Sequence, residues 1–142
     1  MPTSTPLLQL TSSTVLDDGR AFALLEREAN GVSSRDVKEV KRYYGFTDKL
    51  LADLLRINLR TYQRQLAAKE AFKPVPTSNL LAVLQVLRYG EEVLGERAAL
   101  VDWLERPNAS LNGQTPISML HLATGRKLIQ DVLTRIDYGV FG

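Results

Sequence analysis

LLADLLRINLRTYQRQL, residues 50–66, decides how the chain is read. Up to Leu55 it is an apolar helical run. After Arg56, Ile57 and Asn58 a second run begins, in which leucine and tyrosine are interleaved with arginine and glutamine. Leu59, Tyr62 and Leu66 recur at intervals of three and four, so a helix carries them on one face. Arg60, Thr61, Gln63, Arg64 and Ala67 form the opposite surface. Thr47 and Asn58 are residue types that cap helix N-termini, so the stretch predicts two short helices joined by a very short turn. Two readings fit this pattern: a helix-turn-helix whose second helix enters a DNA groove, or an ordinary αα-hairpin with a polar outer face.

The outward set has the chemistry a groove needs. Arginine bonds guanine bidentately and glutamine does the same with adenine; threonine meets a phosphate or a thymine methyl, and alanine lets the helix come close. Asn58 caps the second helix and aims its N-terminus, where backbone amides and the helix dipole favour a phosphate, at the duplex. Lys49 adds a cation near the start of the first helix. Ala52 supplies the small side chain two crossing helices require. Arg56 is the exception, because that position in such turns commonly needs a positive φ, which costs a residue with a Cβ about 1 kcal/mol. Tyr62 could stack on a base, but its spacing places it in the core.

Charge distribution agrees with the nucleic-acid reading. The net charge is +2, yet residues 31–75 hold ten Lys or Arg against five acids, or +5, while residues 1–30 carry −2 and 76–142 carry −1. A polyanion partner therefore fits the middle third and not the flanks.

The rest of the chain predicts an all-α protein: no stretch alternates with period two, and no internal repeat is visible. Ser, Thr and Pro crowd the first residues, so 1–19 reads as a flexible N-terminal arm. A helix over 20–30 should stop at Gly31, and one opened by Ser33 or Ser34 should stop at Gly45. Pro74 and Pro76 in KPVP are incompatible with a helix interior and mark a boundary between a helix-turn-helix domain, 20–73, and a C-terminal helical domain, 77–142, packed against it. Leu80, Leu81, Leu84, Leu87, Val93 and Leu94 give 77–95 the pattern of a long helix with apolar surface to spare, which points to a dimer seam or to a wholly intramolecular core. Trp103 shares a face with Leu100 and Leu104 and reads as core. Thr115 and Pro116 read as a helix start, and Leu128, Ile129, Val132, Leu133 and Ile136 as the buried face of a last helix ending at Gly139.

Catalysis is not expected. His121 is the lone histidine and no cysteine is present, so no metal site can be assembled from the usual ligands. No phosphate-binding glycine loop or nucleophile elbow occurs, and no cofactor is expected. No run is long enough to cross a membrane and no secretory segment is visible, so the expected compartment is cytoplasmic.

The last third adds linked motifs: VLG, then WL and PN, then LNGQTP, Gly125 within a helix, and RIDYGV near the end. In this order, and with the preceding helix pair, residues 35–142 resemble the Xre/MbcA/ParS antitoxin family. The resemblance implies a cytosolic bacterial antitoxin whose partner is a RES-domain toxin that consumes NAD or ADP-ribosylates a protein. It also implies a C-terminal segment placed at the toxin active site, and repression of its own operon by DNA binding, as a homodimer. The residues it assigns to the toxin are Arg135, Asp137, Tyr138, Gly139, Val140, Phe141 and Gly142; those assigned to DNA are Lys49, Asn58, Arg60, Thr61, Gln63 and Arg64. Without the family pattern, the favoured reading is that Tyr138, Val140 and Phe141 fold back onto the core or pack in a homodimer. A free-standing helix-turn-helix regulator is the alternative function.

Overall fold

A computed structural model describes residues 5–12 and 17–139. All regular structure among these residues is helical: α1 (Leu7–Leu10), α2 (Asp18–Asn30), α3 (Ser34–Tyr44), α4 (Asp48–Leu55), α5 (Leu59–Ala68), α6 (Pro74–Leu94), α7 (Arg97–Leu104) and α8 (Ala123–Asp137), with single 3-10 turns at Ala109–Leu111 and Pro116–Ser118. No helix among them is long and apolar enough to cross a membrane. The chain forms two compact units, divided between Ala82 and Val83 inside α6.

Local signals set the helix ends in the first unit. Asp17 caps α2 by accepting from the Arg20 amide at 2.8 Å. Ser33 and Asp36 form a reciprocal capping box on α3, each side chain accepting from the other's amide at 3.0 Å. The same Asp36 carboxylate meets Arg27 at 2.8 Å, with both side chains nearly buried, and so ties α2 to α3. Gly45, at φ 71°, closes α3 in the left-handed conformation.

The first unit is closed by a backbone crossing. The Phe72 amide donates to the Val32 carbonyl at 2.8 Å. The hydroxyl of Thr77, itself fully buried, accepts from the Val32 amide at 3.0 Å and donates to the Phe72 carbonyl at 3.3 Å. Gly31 is required beside this crossing, because its φ is 87° and a Cβ there would collide with the Phe72 carbonyl oxygen.

Three sequence expectations change here. The N-terminal arm is not free over 7–11: Leu7 and Leu10 are buried, and α1 lies against α2 and α3 because a single turn is enough to present both leucines to one apolar surface. Residues 1–4 and 13–16 of that arm lie outside the described residues. The prolines of KPVP do not interrupt a helix but open one. Pro74 and Pro76 occupy the first turn of α6, where a missing N–H forfeits no bond, and the first ladder bond runs from the Thr77 amide to the Lys73 carbonyl at 3.0 Å. Lastly, Leu80, Leu81, Val83, Leu84, Val86 and Leu87 are all buried by the chain itself, so the surface of α6 that read as a seam is largely consumed.

The second unit buries Val83, Leu84 and Leu87 of α6 together with Leu100, Leu104, Leu111, Leu120, Ile129 and Leu133. Gly90 and Gly125 are close-approach positions: a Cβ on Gly90 would fall 2.6 Å from a Leu100 methyl, and one on Gly125 would strike the Met119 carbonyl. Trp103, expected in the core, is only half-buried, and Leu128, expected on the buried face of α8, is 47% exposed. Of the other residues expected on that face, Ile129, Val132 and Leu133 are buried and Ile136 is half-buried.

Thr77→Val keeps the shape of that buried side chain but leaves the Val32 amide without an acceptor. It should lower the stability of the N-terminal unit by about 1–3 kcal/mol, read as a shift in the urea midpoint at unchanged slope.

Candidate nucleic-acid and partner interfaces

α4 and α5 are the two helices of the opening stretch. Thr47 caps α4, accepting from the Leu50 amide at 3.1 Å, and Asn58 caps α5, accepting from the Thr61 amide at 2.8 Å. Between them Arg56 stands at φ 61°, ψ 43°, the left-handed conformation anticipated for the turn. Its amide donates to the Asp53 carbonyl and that of Ile57 to the Ala52 carbonyl, at 3.0 and 3.1 Å, so these two carbonyls in the last turn of α4 are satisfied. Ala52 is buried, as its small size led us to expect.

Tyr62 belongs to the core and is fully buried. Its hydroxyl donates to Asp48 Oδ1 at 2.9 Å, and Lys41 Nζ reaches the same oxygen at 2.9 Å. One carboxylate at the start of α4 thus joins α3, α4 and α5. Lys41 first, and then Tyr62, hold the Asp48 carboxyl below its ordinary range; burial first, and then Asp48, push the Tyr62 phenol well above its own. Tyr62 therefore remains a proton donor throughout the working range.

With Tyr62 turned inward, the outer surface of α5 presents Arg60, Gln63, Arg64 and Ala67 as exposed side chains, and Thr61 as half-buried. Lys49 is exposed but spans one turn to Asp53 at 2.8 Å, an exposed pair worth about 0.3–0.5 kcal/mol and readily exchanged for a phosphate. The Asn58 side chain is committed to its cap, so a contact with DNA falls to the helix end it forms. Gln65, which the sequence did not single out, is buried, with Oε1 lacking a hydrogen-bond partner among the described residues, while its backbone carbonyl accepts from Ser34 Oγ at 3.3 Å.

In the second unit the LNGQTP segment is a folded turn. Asn108 Oδ1 accepts from the Ser110 amide at 2.9 Å, Asn112 and Gly113 both take positive φ, and the Asn108 amide returns to the Gln114 carbonyl at 3.0 Å. Pro116 is buried and starts a 3-10 turn, where the sequence predicted a longer helix. His121 is half-buried, and no group of three metal-capable side chains converges among the described residues. α8 ends at Asp137. Arg135 is half-buried, Asp137 and Gly139 are exposed, and Tyr138 is 78% exposed. Asp137 bonds the Tyr89 hydroxyl at 3.1 Å. Val140, Phe141 and Gly142 lie outside the described residues.

Comparison with known proteins gives both units a relative. Residues 23–82 match the Antitoxin Xre-like helix-turn-helix domain, and residues 90–139 match the Antitoxin Xre/MbcA/ParS C-terminal toxin-binding domain. The chain is also similar to a protein named Antitoxin Xre from Photorhabdus laumondii, 26% identical over 92 residues that cover 62% of this chain and 62% of that protein. Two separate parts of this all-α chain thus resemble a helix-turn-helix domain and a toxin-binding domain known from Xre-type antitoxins, and the chain spans under two thirds of the length of the named relative.

Protonating Asp48 removes the acceptor shared by three helices. Because its folded pKa lies below the unfolded value of about 3.9, its contribution is present above that value and disappears as pH falls through the lower, folded one. Urea unfolding of the wild type should lose stability below about pH 4, and Asp48→Asn should flatten that part of the profile while costing stability at pH 7.

Proposed function

We propose that the protein is the antitoxin of a type II toxin–antitoxin pair. Its C-terminal unit neutralises a RES-domain toxin by placing the segment from Arg135 onward at the toxin active site, and its N-terminal unit binds operator DNA through α5 and represses the operon. The observation that carries this reading is the pairing, in one chain, of a toxin-binding domain with a helix-turn-helix whose second helix turns Arg60, Gln63 and Arg64 outward.

On the DNA side, Arg60, Gln63, Arg64 and the less exposed Thr61 read bases or phosphates. Lys49 and the Asn58-capped end of α5 hold the backbone. On the toxin side, Tyr138 supports the reading, because an aromatic ring left in water at a helix end is the kind of group that anchors interfaces. The assignment of the toxin to the RES class rests on the resemblance of the motifs in the last third. Val140, Phe141 and Gly142 extend the same contact. The cytoplasm is where such a pair would act. Homodimerisation is supported by Phe22 and Leu25, one helical turn apart on α2 and 70% and 58% exposed.

If α5 is the recognition helix, an Arg60→Ala, Arg64→Ala double variant should lose roughly 1–3 kcal/mol of operator affinity for each base-reading arginine and relax preference at the matching base pairs. Operator binding measured by fluorescence anisotropy, equal to wild type at two salt concentrations, would remove the assignment. On the other side, deleting residues 138–142 should abolish protection of a host coexpressing the product of the adjacent gene while leaving operator binding unchanged. Full protection by the shortened chain would rule out the tail as the blocking segment, whereas no protection even by the full chain would favour a free-standing regulator.

A further inference from the structure

Tyr89 lies in the second-unit part of α6, 48 residues before Asp137, and its hydroxyl sits 3.1 Å from Asp137 Oδ2 and 3.4 Å from Thr134 Oγ1. The Thr134 hydroxyl donates its own proton to the Gln130 carbonyl at 2.8 Å, so towards Tyr89 it can only accept. The single phenolic proton then goes to the nearer and charged partner, Asp137. That carboxylate is otherwise badly placed. It is the last residue of α8, at the negative end of the helix dipole, where an acidic side chain is disfavoured.

The chain leaves α8 directly after this contact. The Tyr138 amide donates to the Thr134 carbonyl and the Gly139 amide to the Ile136 carbonyl, both at 3.0 Å. Gly139 takes φ 71° and has no neighbour within 4 Å of where a Cβ would lie. At the C-cap, Tyr138, backbone amides supply the bonds to the Thr134 and Ile136 carbonyls. The Tyr89 hydroxyl thus ties the final turn of α8 to α6 across 48 residues of sequence.

We propose that Tyr89 is a positioning residue for toxin recognition: through Asp137 it fixes the last turn of α8, and with it the direction in which the chain departs at Tyr138 and Gly139. The inference rests on the reading that residues beyond α8 contact the toxin. It reassigns Asp137 from toxin contact to internal support. An already oriented segment loses less freedom on binding than one that must be ordered.

The test uses the full chain with Tyr89→Phe, and the purified product of the adjacent gene as binding probe. In the free protein, amide hydrogen exchange at Tyr138 and Gly139 should accelerate severalfold, with Ile129, Val132 and Leu133 unchanged. Affinity for the probe should fall about fivefold, as one net hydrogen bond implies, and operator binding should not move. Unchanged exchange at Tyr138 and Gly139 overturns the proposal, as does unchanged affinity when deletion of 138–142 itself weakens binding. Should that deletion leave binding intact, the premise fails and takes the proposal with it.

Discussion

The backbone crossing at Val32 and Phe72 governs the N-terminal unit. It joins two points forty residues apart and encloses α3, α4 and α5 between them, with the Thr77 hydroxyl using both its donor and its acceptor capacity to seal the site. Because the crossing is buried, a missing partner there would leave a backbone group with neither protein nor water to bond. The helix pair that presents Arg60 and Arg64 is thus held from behind, by contacts that involve none of the outward residues.

Within that enclosure, Asp48 links α3, α4 and α5. It ties Lys41, Tyr62 and its own helix at one oxygen atom, and so satisfies the hydroxyl of a ring that its apolar spacing already turns inward. The polar surface of α5 is in this sense a consequence of a buried phenol. Arg56 shows the opposite economy: it keeps a left-handed conformation that glycine would hold with less strain, and keeps a cation in the turn by doing so.

What could be read from the sequence was what short-range chemistry determines. The caps at Ser33, Thr47 and Asn58, the stop at Gly45, the inward Tyr62 and the outward α5 set follow from rules spanning one or two helical turns. Position within a helix was harder to read than its existence: Pro74 and Pro76 signal an interruption equally well whether they end one helix or begin the next. Burial by distant segments was illegible. Nothing local distinguishes Leu7, which is covered, from Leu128, which is not, and the half-exposed Trp103 departs from its apolar neighbours for the same reason. The Tyr89–Asp137 bond was hidden altogether, since its partners are 48 residues apart and neither residue is unusual in its own helix.

Helix α6 belongs to both units, giving Leu80 and Leu81 to the first and Val83, Leu84 and Leu87 to the second, with only Ala82 between the two sets. The boundary between the units consequently falls inside a helix and not in a linker. A break at the prolines would strip the first unit of two leucines, and a break after Ala82 would leave each fragment with a frayed terminus in its own interior. Exchanging one half for a foreign counterpart would therefore mean joining the two within this helix and keeping its leucine register.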